Sequence, residues 1–171
     1  MYSQWMWISL TKSKTTKDIE KILLHKYDAI TNHCAFEVKI GFSKSADQIT
    51  KYVEIVDFII YQNDGTFRCF EIKSSKADFL SGQRLSFYGD YNYLVIPKNL
   101  LPEIENCDLF KSLLWKGIGI LLVNIESAEI EVYRKPKKKT WNLGMKNILI
   151  ESMVRSLARD AKKFYLKDMR D

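Results

Sequence analysis

The chain has 171 residues, 46% hydrophobic and 13% aromatic, with a net charge of +6. This composition predicts one domain over 1–171 with a sizeable core and excludes intrinsic disorder. No apolar run approaches the roughly 20 residues that cross a bilayer, and in MYSQWMWISLTKSK the lysines follow the apolar stretch, unlike a secretory signal; the expected compartment is the cytoplasm.

Residues 1–14 read as irregular or partly extended. TTKDIEKILLHKYDAI (15–30) predicts a helix capped by Thr15 or Thr16, with Asp18 and Glu20 in its first turns. Its apolar face is Ile19, Ile22, Leu23 and Tyr27. AFEVKIGF (35–42) predicts a strand, and SKSADQIT a polar loop. Residues 53–61 and 67–73 predict a hairpin, because Asn63-Asp64-Gly65 tolerates the positive φ of a tight turn. SKADFLSGQRLSFY (75–88) predicts a helix with Ser74 or Ser75 as its cap, weakened in the middle by Gly82. YNYLVIP (91–97) predicts a strand stopped by Pro97, and a short helix or turn follows around 99–114. GIGILLVN (117–124) and AEIEVYR (128–134) predict two more strands. RKPKKKT (134–140) is a basic linker, and 143–168 predicts the longest helix. This order predicts the α/β class, a mixed central sheet with helices on both faces. The connection from residue 73 to the strand at 91 is expected to be a right-handed crossover.

The charge is uneven. Residues 1–133 hold 15 Lys/Arg against 17 Asp/Glu, and residues 134–171 hold 12 against 4. The basic character therefore belongs to the C-terminal segment, which attracts phosphate backbones or serves solubility. Cys34, Cys69 and Cys107 are odd in number and form no CxxC pair, so core thiols are expected. With His25 and His33 as the only histidines, a histidine-rich metal site or a Ser-His-Asp triad lacks material.

The hairpin carries the chemistry. With its turn centred near residue 64, opposed residues sum to about 128, so Asp57 faces Glu71. Side chains alternate along a strand, so Lys73 shares the face of Glu71. Two carboxylates and an amine thus meet in otherwise apolar strands. Burying them is costly unless they pair or hold a metal, which makes the patch a candidate divalent-cation site. The alternative is a cross-strand ion pair that orders the sheet.

Asp57 on one strand, then Glu71-Ile72-Lys73 on the next, resembles the signature of the PD-(D/E)xK nuclease superfamily, with Val56 in place of the usual proline. EIKSSKADFL, followed by FYGDYNYLVIP, more specifically resembles small phage and bacterial proteins related to the MmcB DNA-repair family. The resemblance covers about residues 35–97. It implies a restriction-endonuclease-like core of αβββαβ order with extra C-terminal strands and a long helix. It also implies Mg²⁺ or Mn²⁺ held by Asp57, Glu71 and the Ile72 carbonyl, with Lys73 orienting the attacking water. The chemical logic is that a metal ion offsets the charge that phosphodiester hydrolysis builds and lowers the pKa of bound water. Members often add an acidic residue from the first helix. Glu20 fits by position, and Glu37 on the first strand competes.

Ser74 and Ser75 read as helix caps or phosphate contacts. Asp78 can interact with the first turn of its helix. Gln83 is a weak polar helper. Tyr88, Tyr91 and Tyr93 around Asp90 read as core packing or a base-stacking platform. Trp5 and Trp7 read as cover for a sheet edge or a partner surface. In the last helix, Leu149, Met153, Leu157, Ala161 and Tyr165 make an apolar stripe. Arg155, Arg159, Lys162 and Lys163 fall within a sector about 100° wide, and with Lys135, Lys137, Lys138 and Lys139 they form either a phosphate-contacting surface or a solvated face. The expected function is a metal-dependent deoxyribonuclease of a bacterial cell or its phage, in repair, recombination or phage DNA metabolism. DNA is the expected partner and a homodimer an allowed state. The alternative is an inactive nuclease fold that binds nucleic acid or a protein.

Overall fold

The computed structural model describes residues 12–41, 54–81 and 85–168. Several expectations fall outside them: Trp5 and Trp7, the polar loop at 43–50, the weak point at Gly82 and the helper Gln83. The elements are α1 (Lys14–Lys26), β1 (Asn32–Ile40), β2 (Glu54–Gln62), β3 (Phe67–Ile72), α2 (Lys76–Leu80), β4 (Tyr91–Pro97), α3 (Leu101–Ile104), α4 (Asp108–Trp115), β5 (Gly119–Asn124), β6 (Glu129–Arg134) and α5 (Leu143–Asp168). A 3₁₀ turn, Lys98–Leu100, leads into α3.

The six strands form one sheet in chain order. β1, β2 and β3 are antiparallel neighbours, β3, β4 and β5 are parallel, and β6 returns antiparallel to β5. Helices cover both faces, as the α/β reading requires. On one face α1 sets Ile19 and Leu23 against Phe58, Ile60, Phe70, Ile72, Val95 and Leu121. On the other, α2 to α4 pack Phe79, Ile104, Phe110 and Leu113 over Leu94, Ile96, Ile120 and Leu122. Beside them Leu149 and Met153 of α5 cover Ala35, Val38, Ile59 and Cys69. The near-continuous apolar runs of β4 and β5 follow from this burial on both faces.

The expected hairpin turn forms. Gln62 N–H donates to Thr66 O and Gly65 N–H to Gln62 O, both at 2.9 Å. Gly65 has φ +80°, the left-handed region that glycine enters without steric cost. At the start of α1 the cap is Ser13, not Thr15 or Thr16: its Oγ accepts from Thr16 N at 3.1 Å. The helix expected over 75–88 ends at Leu80. Residues 85–88 are irregular because their polar groups serve β2 and β3: Tyr88 OH donates to the Glu54 carboxylate, and Ser86 Oγ lies 3.4 Å from it. No helix among the described residues is long and apolar enough to cross a membrane. All three cysteines are free, and burial pushes the Cys69 thiol up.

Candidate metal centre

The hairpin register is the one its turn predicts. Phe58 faces Phe70 and Tyr61 faces Phe67, so the next opposed pair is Asp57 and Glu71. The ladder stops one step short of that pair. Asp57 turns its carboxylate into the sheet plane, and Oδ2 accepts from Ile72 N–H at 2.7 Å.

A break in alternation places it there. In β1, Cys34 and Phe36 pack on the α1 face, yet Ala35 and Val38 both pack on the α5 face. In β2, Phe58 and Ile60 face α1, whereas Val56 and Ile59 face α5. Both strands therefore change phase at the facing positions Glu37 and Asp57, flanked by the pairs Phe36–Phe58 and Val38–Val56. Glu37 makes the change at φ +48°, an uncommon conformation for a residue with a Cβ. Regular alternation would have held Asp57 on one face of the sheet. The break lets it fill the notch where β2 leaves β3.

Glu71 is 2% exposed, and its Oε1 has no hydrogen-bond partner among the described residues. Burial first and the Asp57 charge second push its carboxyl up to about 9, against the pull of Lys73 and the Ser86 N–H. Asp57 is raised too, mainly by burial, against its bond from Ile72 and the charges of Lys73 and Lys12. Lys73 is buried at 4% exposure, and its Nζ stands 3.5 Å from Asp78 Oδ1. Asp78 is fixed by accepting from Ser74 N at 3.2 Å, and Ser75 caps α2 by accepting from Asp78 N at 3.1 Å. The serines therefore serve the start of α2, and Asp78 braces the lysine. Lys73 N–H donates to Val95 O of β4. A trans peptide points its C=O opposite to its N–H, so the Ile72 carbonyl faces the notch.

These groups fit a hard divalent ion. The donors are all oxygen, one buried carboxylate oxygen lacks a partner, and two raised carboxyls share a small space. Two carboxylates and one carbonyl leave positions for water and phosphate, as Mg²⁺ prefers. Among the described residues no group of three or more His, Cys, Asp or Glu is gathered closely enough to hold a metal. Glu20 therefore stands outside the pair. Its carboxylate is bound by Lys12, which also reaches Glu37 Oε1 at 3.1 Å. One lysine thus ties both candidates for the extra acid. Nothing in the spacing of the sequence announced Lys12, which lies before the helix.

The basic residues are dispersed. Arg159 donates to Asp160 at 2.9 Å and to the carbonyls of Glu37 and Phe36 at 3.2 Å. Arg155 donates to Gly41 O at 2.8 Å and Ser152 Oγ at 2.9 Å. Both arginines fasten α5 to β1. Lys162 and Lys163 are exposed, as is Lys138 in the linker. The linker crosses the N-terminal ends of β4 and β5: Lys137 N–H donates to Gly117 O and Lys139 N–H to Asp90 O. Glu71 and Lys73 lie at the opposite end of these parallel strands. In the tyrosine group, Tyr93 is buried, Arg68 stacks on Tyr91 and Tyr88 binds Glu54. Asp90 is a buried acceptor for Phe67 N–H at 2.8 Å.

No family profile and no curated protein matches the chain. It is similar in structure to a protein of unknown function from Silicibacter pomeroyi, with a TM-score of 0.61, 16% identity and 94% of each chain covered. That likeness extends over nearly the whole fold and carries no activity with it. An XisH family protein from Nostoc punctiforme aligns over 71% of this chain and 98% of its own, with 13% identity and a TM-score of 0.42.

Proposed function

We propose that this protein is a metal-dependent nuclease that hydrolyses DNA phosphodiester bonds, with Mg²⁺ or Mn²⁺ held by Asp57, Glu71 and the Ile72 carbonyl. The observation that carries the reading is the unpartnered Oε1 of Glu71, a buried carboxylate oxygen beside a second carboxylate. An ion pair that merely ordered the sheet would leave neither oxygen orphaned, and the ion pair of Lys73 runs to Asp78 instead. A divalent ion bound there supplies Lewis acidity and a water of lowered pKa. Asp57 and Glu71 supply the negative charge that retains it. Lys73 orients the attacking water and offsets charge growing on the phosphate, while Asp78 keeps its ammonium from wandering. The restriction-endonuclease likeness of the hairpin and the DNA-repair likeness of EIKSSKADFL point to DNA as substrate and to the cytoplasm of a bacterial cell as the setting.

A second reading, a nuclease fold that binds DNA without cutting, is favoured by the capture of Glu20 and Glu37 by Lys12. A cleavage panel separates the two. Purified protein with Mg²⁺ or Mn²⁺ is offered single-stranded, duplex, flap and junction DNA. Cleavage that disappears in Glu71→Ala and Lys73→Ala, with folding retained, supports the enzyme. Binding without cleavage across the whole panel selects the second reading.

A further inference from the structure

Lys12 is the charged group of this site that the hydrolytic reading does not employ. It precedes α1, and its ammonium binds Glu20 of α1 and Glu37 of β1 together. The Lys12 and Glu20 side chains are partly sheltered, 26% and 15% exposed, whereas that of Glu37 is 46% exposed. Glu37 occupies the β1 position opposite Asp57, flanked by the pairs Phe36–Phe58 and Val38–Val56. Its backbone is held there from outside by Arg159, whose guanidinium donates to the carbonyls of Glu37 and Phe36. The ammonium therefore sits in a group of acids that adjoins Asp57, and its charge reaches that carboxyl. On the other side of Asp57 lies Glu71, 2% exposed, with its unpartnered Oε1. Glu20 and Glu37 are thus held by a tethered cation, whereas Glu71 feels the charge of Lys73 and keeps one carboxylate oxygen without a hydrogen-bond partner.

An ammonium and a hard divalent ion compete for the same oxygen donors. The lysine is weaker per contact but is covalently held at high effective concentration. We propose that Lys12 is a built-in competitor of the metal: its ammonium holds Glu20 away from the Asp57–Glu71 pair, and the divalent ion binds fully only when Lys12 lets go. This rests on the metal-centre reading above. Its consequence is specific. A tethered competitor lowers apparent metal affinity by the fraction of molecules in which it is engaged, so removing the amine tightens binding. A lysine that served only to join α1 to β1 would do the reverse, because its loss would loosen the site.

The test is Mn²⁺ binding by titration calorimetry to the full chain without DNA, for wild type, Lys12→Met, Glu37→Gln and Glu71→Gln. Lys12→Met is expected to bind about tenfold more tightly. Glu37→Gln, which removes one of the two holds on the ammonium and leaves Glu20 intact, shifts affinity the same way by less. It also serves where Lys12→Met fails to fold. Glu71→Gln is expected to lose binding. If Glu71→Gln loses binding while Lys12→Met and Glu37→Gln bind as wild type or more weakly, the competitor is overturned and the metal centre stands. If Mn²⁺ binds wild type and Glu71→Gln alike, or binds no variant, the metal centre falls and the competitor with it.

Discussion

Ionising Glu71 puts a second negative charge beside Asp57 in a place with almost no solvent. Its carboxyl, ordinarily near 4.5, rises to about 9 in the fold, and that of Asp57 rises as well. The folded protein thus keeps protons that the unfolded chain has released. Stability from such a group is fully present below the unfolded value and is lost as pH rises through the folded one. The metal-free protein is expected to lose stability progressively from about pH 4.5 to about pH 9. Glu71→Gln, which cannot ionise, should flatten that slope. On the proposed metal centre, adding Mn²⁺ should oppose it, because the ion would bind the ionised carboxylates. Urea melts at several pH values measure all three. A wild-type slope unchanged in Glu71→Gln would show that Glu71 is not the group in question. The pairing of these two acids was legible in the sequence, since a two-strand turn fixes which residues oppose one another. The orphaned oxygen was not, because it depends on a phase change in β1 and β2 that no pattern of residue types displays.

At the scale of elements, α5 does more than supply charge. Its first turns bury Leu149 and Met153, whereas Leu157 and Tyr165, expected on the same apolar stripe, are 45% and 67% exposed. The periodicity marked a helix correctly, but it could not show how far the sheet extends beneath it. Likewise the sector of Arg155, Arg159, Lys162 and Lys163 is real as helical geometry. Yet its two arginines reach the backbone of β1 because strand carbonyls near Glu37 and Gly41 lie open to them. Arg159→Ala should therefore act first on stability, by about 1–3 kcal/mol for the lost charged hydrogen bonds. Lys162→Glu with Lys163→Glu should leave the melting midpoint nearly unchanged and reduce the salt dependence of DNA binding. The reverse pattern, with Arg159→Ala stable but deficient in DNA binding, would return the arginine to the nucleic-acid surface. The short α2 has a comparable explanation. Its sequence favours a longer helix, but the residues after it serve Glu54 and Glu71 of the neighbouring strands.

Among the described residues, the sheet carries charged groups at both ends of its parallel strands. Asp57, Glu71 and Lys73 lie where the parallel strands finish, and the basic linker lies where they begin, against Gly117 and Asp90. The five steps from Arg68 to Lys73 alone span about 17 Å at 3.3 Å each. The sequence showed that the C-terminal segment is basic, and only the sheet topology shows which end of the sheet the linker occupies. If the protein cuts DNA as proposed, a phosphate held by Lys138 lies remote from the scissile one, and such a contact adds to encounter and affinity without touching the reaction. Lys138→Glu should slow cleavage at low DNA concentration, increasingly so at low salt, and leave the rate at saturating DNA unchanged. Lys73→Ala should show the opposite division, with DNA binding retained and turnover lost. Single-turnover cleavage measured against DNA concentration separates the two. If Lys138→Glu lowered the saturating rate, the duplex would have to bend around the sheet so that both ends act on one scissile phosphate. A bend of that kind costs several kcal/mol in stiff DNA, and a nicked or flapped substrate, which bends freely, would then restore the rate.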